Sequence, residues 1–109
     1  GASTTVALYI IPPVLSDFHQ KHPQVSITLV NRNSENVLKA LLEHEIDIGI
    51  MEGKNKLSGV RSQLFLTDEV VPVCSALSPI SRKQKISLKE LTTLPVALRE
   101  RGSGTLAAL

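Results

Sequence analysis

The stretch VSITLVNRNSENVLKALLEHEIDIGIM, residues 25–51, decides the fold of this chain. Its first part, Val25–Val30, alternates strongly apolar with less apolar residues and predicts a strand with one better-buried face. Its middle, Glu35–Glu43, carries valine and leucine at helical spacing and predicts an amphipathic helix. Its last part, Ile46–Met51, is a short apolar segment that predicts a second strand. The order strand, helix, strand indicates an α/β layered fold with parallel pairing.

The ends of the central helix are marked by two residues. Ser34 is a good N-cap, because a serine side chain accepts a hydrogen bond from a free N–H of the first turn. We expect the helix to end at His44, where a left-handed backbone conformation is normally supplied by glycine. Histidine adopts that conformation more readily than most other residues.

Upstream of this stretch, Thr4–His22 contains an apolar stripe at helical spacing and predicts a first helix. The pair Pro12-Pro13 leaves two alternatives. Either the regular helix begins there, with proline in its first turn, or a longer helix kinks there. Pro23 marks the end of the helix.

Downstream, the pattern predicts shorter elements joined by loops. They are a polar loop at Glu52–Lys56, strands at Val60–Leu66 and Glu69–Cys74, an irregular basic stretch at Leu77–Lys85, a short helix from Ser87 through Leu91 with a capping box completed by Glu90, a strand at Pro95–Leu98, a glycine-containing turn at Arg99–Thr105, and the first turn of a helix at Leu106–Leu109.

Composition excludes several function classes. The 109 residues carry 12 Lys and Arg against 10 Asp and Glu, and a net charge of +2 is too small for a typical nucleic-acid-binding surface. Three aromatic residues are too few for a base-stacking platform or a sugar-binding wall. The single cysteine, Cys74, excludes an internal disulfide. No apolar run is long enough to span a bilayer, and no signal peptide is visible.

Two hydroxyl-rich helix starts are the strongest candidates for a binding site. Gly1–Thr5 brings three hydroxyl side chains and free backbone N–H groups to a helix N-terminus, which suits a carboxylate, phosphate or sulfate. In Arg99–Thr105, two glycines permit close backbone approach, Ser103 and Thr105 can donate hydrogen bonds, and two arginines add positive potential. Each segment also has a simpler interpretation: Gly1–Thr5 as an ordinary helix cap, and Arg99–Thr105 as a structural turn. Together they suit a cleft between two α/β lobes that holds a small anion.

Other chemistry is less well supported by the sequence. His19 and His22 share a helix face but lack an evident third metal ligand. Asp47 and Glu52 flank a strand, and a glycosidase pair would need a sugar cleft with more aromatic residues. We therefore find no catalytic residues and no metal site.

The ordered landmarks resemble one family over nearly the whole chain. The chain is similar to the effector-binding domain of LysR-type transcriptional regulators, a bacterial family. The matching landmarks are Gly1–Thr5, Tyr9–Pro13, Phe18, His22-Pro23, Val25, Asn33, Ala40–Glu43, Glu45–Ile50, Glu69–Val73, Leu88–Leu91, Arg99-Glu100 and Gly102–Thr105.

The resemblance implies a fold and a site. The fold is α/β and like that of a periplasmic binding protein, with two lobes. Residues 1–66 would form part of the first effector-binding lobe, and residues 67–109 the crossover and the start of the second. The effector would lie between the lobes, at residues carried over by position: Ser3, Thr4, Thr5, Asn33, Ser34, Met51, Glu52, Ser103, Gly104 and Thr105. Two positions depart from the family pattern, His44 replacing a usual glycine and Arg101 a usual proline.

The resemblance also implies the function and partners. We expect a ligand-sensing region of a cytoplasmic regulator that binds a small anionic effector and forms homo-oligomers such as dimers. It would contact DNA only through an N-terminal domain absent from these residues, and it would need no cofactor and no membrane. The alternative is a solute-binding component of a transporter, which shares the two-lobe design. An enzyme on this scaffold is a third alternative, but the sequence shows no acid–base residues that would support it.

Overall fold

The computed structural model describes residues 1–53 and 59–109. The predicted loop at Glu52–Lys56 lies in part outside the described residues. The elements are a π-helix at Val6–Ile10, α1 at Ile11–Lys21, α2 at Ser34–Leu42, a 3₁₀ helix at Pro79–Arg82, α3 at Leu88–Leu91 and α4 at Gly104–Ala107.

The two prolines explain how the first helix is built. The chain turns helical at Thr4, passes through the π-helix, and enters α1 with Pro12 and Pro13 in its first turn. The N–H of Ile11 bonds to the carbonyl of Val6, a five-residue step that widens the helix before the prolines. The alternative with proline in the first turn of the regular helix is therefore confirmed. The N–H of His22 bonds to Phe18 O and ends the helix before Pro23, as expected.

The start of α2 corrects one capping assignment. The N-cap is Asn33, whose Oδ1 accepts from the N–H of Asn36 at 3.0 Å. Ser34 is the first helical residue, so the predicted cap at Ser34 is wrong by one position. The correction matters because it leaves the Ser34 hydroxyl buried within the fold, where it does not cap the helix.

The end of α2 confirms the expectation at His44. His44 has a φ of 58°, in the left-handed region. Its N–H bonds to Leu41 O at 3.2 Å, and the N–H of Glu45 bonds to Ala40 O at 2.9 Å. These two bonds form a Schellman motif with histidine in the position that glycine usually takes.

Replacing His44 with glycine is expected to stabilise the protein by about 1 kcal/mol, because glycine adopts the left-handed conformation without a Cβ penalty. Urea unfolding of the full-length protein would measure the gain. His44→Ala is the matched control, since alanine keeps the penalty and removes only the imidazole. Equal stability of the two variants would contradict this account.

Parallel pairing is present in the first part of the chain, but it is short. Ala2 bridges Asn31 on one side and Ile50 on the other, both in parallel. Ala2 N–H bonds to Val30 O at 2.8 Å and Arg32 N–H to Ala2 O at 3.2 Å. On the other side, Ile50 N–H bonds to Gly1 O at 2.9 Å. The predicted parallel arrangement is therefore seen at its centre.

The five predicted strands do not form as strands. The described residues contain helices and isolated bridges only, so the strand assignments Val25–Val30, Ile46–Met51, Val60–Leu66, Glu69–Cys74 and Pro95–Leu98 are wrong for this structure. A strand needs a neighbour for its N–H and C=O groups, and the described chain brings none along the full length of these segments. The radius of gyration, 17.4 Å, exceeds the ~13 Å typical of about 100 compactly folded residues. In the described residues, the expected α/β arrangement is therefore limited to the parallel bridges at Ala2.

A small apolar core lies under the first helix. It consists of Ala2, Val6, Ala7 and Ile11, with the half-buried Ile50 packed against it. This core fixes the segment after Ala2, and so the position of Ser3. Helix α2 buries Val37 and Ala40 on its inner side.

The starts of the two later helices, α3 and α4, agree only in part with the sequence pattern. Ser87 Oγ accepts from the N–H of Glu90 at 3.2 Å, which confirms the cap of α3. The Glu90 carboxylate accepts from Lys83 Nζ. Helix α4 begins at Gly104, two residues before the predicted first turn. No helix in the described part of the chain is long and apolar enough to cross a membrane.

Candidate functional site

The parallel pairing brings three chain segments to one edge. Ala2, Asn31 and Ile50 lie side by side and run in the same direction. The residues that follow them therefore share an edge, which is where α/β folds bind ligands. The predicted site residues up to Glu52 follow these three segments directly.

Ser3 is the most deeply buried of the predicted residues. It is 1% exposed, and its Oγ has no hydrogen-bond partner among the described residues. Its backbone is fixed, because its N–H bonds to Ile50 O at 2.9 Å and its carbonyl accepts from Ala7 N at 2.7 Å. Thr4 and Thr5 are half-buried, and Thr5 makes no side-chain capping bond. The interpretation of Gly1–Thr5 as an ordinary helix cap is therefore not supported at Thr5.

The start of α2 contributes Asn33 and Ser34. The Asn33 side chain is used as the helix cap, and it also contributes slightly to lowering the pKa of the Glu100 carboxyl. Ser34 is 8% exposed, and its Oγ also lacks a partner among residues 1–53 and 59–109. A buried hydroxyl without a partner costs free energy, so such groups in native proteins call for an explanation.

The turn at 101–105 packs directly on this edge. Gly102 has a φ of 87°, and its carbonyl accepts from the N–H of Glu35 at 3.1 Å. Thr105 Oγ1 donates to Glu52 Oε2 at 3.3 Å. Gly104 and Ser103 are buried between them. The second hydroxyl-rich helix start therefore contacts this edge.

Gly104 is held too close for any side chain. A Cβ built there would lie 2.5 Å from the backbone oxygen of Glu52 and 2.6 Å from Ser34 Oγ. Only glycine permits this approach. The contact ties α4 to both α2 and the segment after Ile50.

The two arginines of the turn differ in their surroundings. Arg99 donates two hydrogen bonds to the Glu100 carboxylate, both at 2.9 Å. The bond from Arg99 lowers the pKa of Glu100 to about 2, with smaller contributions that include a bond from Asn33. The Arg99 guanidinium is paired with Glu100, and it also interacts electrostatically with Glu52. Among the described residues, Arg101 is the cation that lines the cavity.

A cavity of about 430 Å³ opens where these elements meet. Its size suits a small metabolite. The predicted residues that line it are Ser34, Met51, Glu52, Ser103 and Gly104, and the others are Glu35, Leu38, Gly53, Arg101, Gly102, Leu106 and Ala107. Ser3, Thr4, Thr5, Asn33 and Thr105 lie near the same edge but do not line this cavity.

The sequence pattern could have indicated some of the cavity-lining residues that were not predicted. Glu35 follows Ser34 in the first turn of α2, so any ligand at Ser34 has its carboxylate nearby. Leu106 and Ala107 face the cavity because α4 begins at Gly104. Placement of Gly53 depends on tertiary packing, and no sequence signal marks it.

A second concavity, of about 410 Å³, lies between α1 and residues 25–29. None of the predicted site residues lines it, and its walls are mainly apolar. Within residues 1–53 and 59–109, His19 and His22 join no group of three or more metal-ligating side chains. The cavity at Ser34 is therefore the better candidate site, because polar groups from three segments converge there.

Comparison with known proteins identifies a family. The sequence matches the family described as LysR substrate binding domain over residues 1–109. It is 38% identical over 104 residues to the uncharacterized HTH-type transcriptional regulator YeiE of Escherichia coli, covering 95% of this chain and 35% of that protein. It is 31% identical over 108 residues to the HTH-type transcriptional activator CmpR of Synechocystis, covering 99% and 36%. For the HTH-type transcriptional regulator CysL of Bacillus subtilis the identity is 29% over 105 residues, covering 96% and 35%. The chain spans about a third of the length of these curated relatives.

Proposed function

The chain belongs to the LysR substrate-binding domain family, and from that membership we propose that it senses a small anionic effector for a DNA-binding transcriptional regulator. The relatives named above are regulators and not enzymes, so effector binding is a signal and not a step in catalysis. The whole protein would act in the cytoplasm, where bacterial DNA is found.

The proposed effector site rests on one observation. The side-chain hydroxyls of Ser3 and Ser34 are buried, lie near one edge, and have no hydrogen-bond partner within the described residues. A ligand oxygen would supply the missing hydrogen bonds. The N-terminus of α2 favours negative charge, and Arg101 adds a cation. The site we propose also includes Thr4, Thr5, Asn33, Met51, Glu52, Ser103, Gly104 and Thr105.

The proposed division into lobes explains how binding would be transmitted. Residues 1–66 would belong to the first lobe and residues 67–109 to the crossover and the second. The bonds from Thr105 to Glu52 and from Glu35 to Gly102 would then cross the cleft. An effector that binds the closed cleft better than the open one would shift the population towards closure. The same difference in affinity would couple effector and DNA binding.

The proposed partners follow from the family. DNA would be contacted by a part of the protein outside these 109 residues. Homo-oligomers would form through the effector domain, and exposed apolar residues of α1, such as Val14 and Phe18, would be available to bury at such an interface.

The double change Ser3→Ala with Thr5→Ala tests the site. We expect it to weaken binding of a stabilising anion about tenfold or more, because hydrogen bonds to a charged group contribute roughly 1.5–3 kcal/mol each. Thermal unfolding of the full-length protein would first select an anion among sulfate, phosphate, acetate and citrate, and calorimetry would then measure its affinity.

Ser26→Ala with Thr28→Ala is the matched control, because it removes the same two hydroxyl types from an exposed segment away from the cavity. We expect the control to bind like the natural protein. Unchanged affinity in the Ser3 and Thr5 variant would exclude Ser3 and Thr5 from the effector site, and no binding of any anion in the panel would count against the sensing of a simple anion.

A further inference from the structure

The cavity at Ser34 has an apolar side as well as a polar one. We propose that the effector is a short-chain carboxylic acid, an anion with a small alkyl body, and that inorganic oxyanions such as sulfate and phosphate are poor ligands. This inference rests on the proposed sensing of a small anion and narrows the class of that anion.

Helix α2 lines the cavity with a hydroxyl group followed by an alkyl group. Ser34 and Leu38 both line it and lie four residues apart, so they share one face of the helix, separated by about 6 Å along its axis. Ser34 is the first residue of this nine-residue helix, is 8% exposed, and its Oγ has no partner among the described residues. Leu38 is half-buried. The polar group therefore lies at the start of α2 and the apolar group one turn further along.

Helix α4 repeats this order of polar and apolar residues. The buried Ser103 directly precedes α4, and Leu106 and Ala107 lie within it, one turn further along the chain. All three line the same cavity as α2. The starts of the two helices are in close contact, since a Cβ at Gly104 would lie 2.6 Å from Ser34 Oγ. Each helix therefore brings its serine to the point where the starts meet and its apolar residues to a position one turn away.

An inorganic oxyanion would use only the polar side of this cavity. Sulfate or phosphate can accept a hydrogen bond from Ser34, but neither has an alkyl group to bury against Leu38, Leu106 and Ala107. A carboxylic acid accepts the same hydrogen bond and also removes its alkyl chain from water. Each buried methylene strengthens binding about fourfold.

The acidic residue beside Ser34 does not favour an inorganic anion. Glu35 lines the cavity, and its carboxylate lies against Gly102 in the turn. A negative charge there repels a doubly charged sulfate or phosphate more strongly than a singly charged carboxylate. The preference for a carboxylic acid therefore rests on the apolar side of the cavity, and Glu35 does not oppose it.

The experiment uses a series of acids that differ only in chain length. Acetate, propionate, butyrate and valerate are titrated into the full-length protein by calorimetry, with sulfate and phosphate as anions that lack an alkyl chain. We expect affinity to rise about fourfold per methylene from acetate to butyrate. We expect butyrate to bind at least tenfold more tightly than sulfate or phosphate.

Leu38→Ala tests the apolar side directly. We expect it to weaken butyrate binding about fivefold or more and to change acetate binding less than about twofold, because acetate has little alkyl surface to bury. Leu106→Ala is the second variant, on α4, and should act in the same direction. Thermal unfolding shows which variants are folded, so that either one can test the proposal.

Leu42→Ala is the matched control, because Leu42 lies on the same helix, is 50% exposed and does not line the cavity. It should leave both affinities unchanged. Three results overturn the carboxylic acid and leave anion sensing intact: affinity that does not rise with chain length, tighter binding of sulfate or phosphate than of butyrate, or equal losses for acetate and butyrate in Leu38→Ala. Failure of every compound to bind overturns both proposals.

Discussion

Replacing Gly104 with alanine is expected to abolish effector binding. The added methyl would lie 2.5 Å from the backbone oxygen of Glu52 and 2.6 Å from Ser34 Oγ. The Ser34 hydroxyl could rotate, but the Glu52 backbone could move only with its whole segment. Overpacking of this kind costs about 1–3 kcal/mol. The turn at 101–105 would move away, and the bond from Thr105 to Glu52 would be lost with it.

The measurement is calorimetric titration of the full-length variant with whichever anion binds the natural protein. Gly59→Ala is the control, because a Cβ there meets nothing within 4 Å although φ is 86°. It carries backbone strain of roughly 1–2 kcal/mol without any steric contact. Loss of binding only in the Gly104 variant would attribute the effect to the close approach. Full binding by Gly104→Ala would show that this contact does not build the site.

Val37→Ala is expected to give the largest loss of stability. Val37 is 1% exposed, on the inner side of α2. Its Cγ1 lies 3.1 Å from the position a Cβ at Gly49 would take, and 3.6 Å from that at Gly1. Removing two buried methyl groups and leaving a cavity should lower the free energy of unfolding by about 2 kcal/mol.

Urea unfolding of the full-length protein would measure this loss, with Leu42→Ala as the control on the same helix. Leu42 is 50% exposed, so its truncation removes more atoms yet less buried contact. We expect Leu42→Ala to cost clearly less than Val37→Ala. The reverse order would mean that α2 packs on the chain by a different face.

Val37→Ala and Gly104→Ala test different parts of the structure, namely the packing of α2 and the contact that builds the site. Val37 packs α2 against the segments that carry Ser3 and Glu52, so its loss weakens the edge on which the site is built. Gly104 lies in the contact between that edge and the turn from the later part of the chain. A variant can therefore keep the fold and lose the site, and Gly104→Ala is expected to approach that behaviour.

Local features of the chain were predictable because they depend on neighbouring residues. The prolines place the start of α1, and Pro23 its end. The left-handed conformation at His44 follows from the end of the apolar pattern in α2. The cap at Asn33 was missed by one residue, since Asn33 and Ser34 are both good caps and only packing chooses between them.

The strands were not predictable in the same way. An alternating segment such as Val25–Val30 has a preference for extended structure, but a strand exists only where another segment satisfies its backbone groups. Within the described residues, pairing is limited to the bridges around Ala2. The periodicity of a segment carries no information about whether its partner is in place.

The sequence by itself determined the end of α1, the end of α2, the family and the hydroxyl-rich segments around Ser3 and Ser103, because each depends on residue type and short spacing. Tertiary structure alone decided that Ser34 is buried without a partner, that Glu52 faces Thr105, and that Glu35 and Arg101 join the same cavity. These are contacts between segments up to about 70 residues apart, and their geometry is set by packing around Ala2 and Gly104. Local residue preferences therefore predict where the candidate site residues lie along the chain, whereas tertiary packing decides which of them share the cavity.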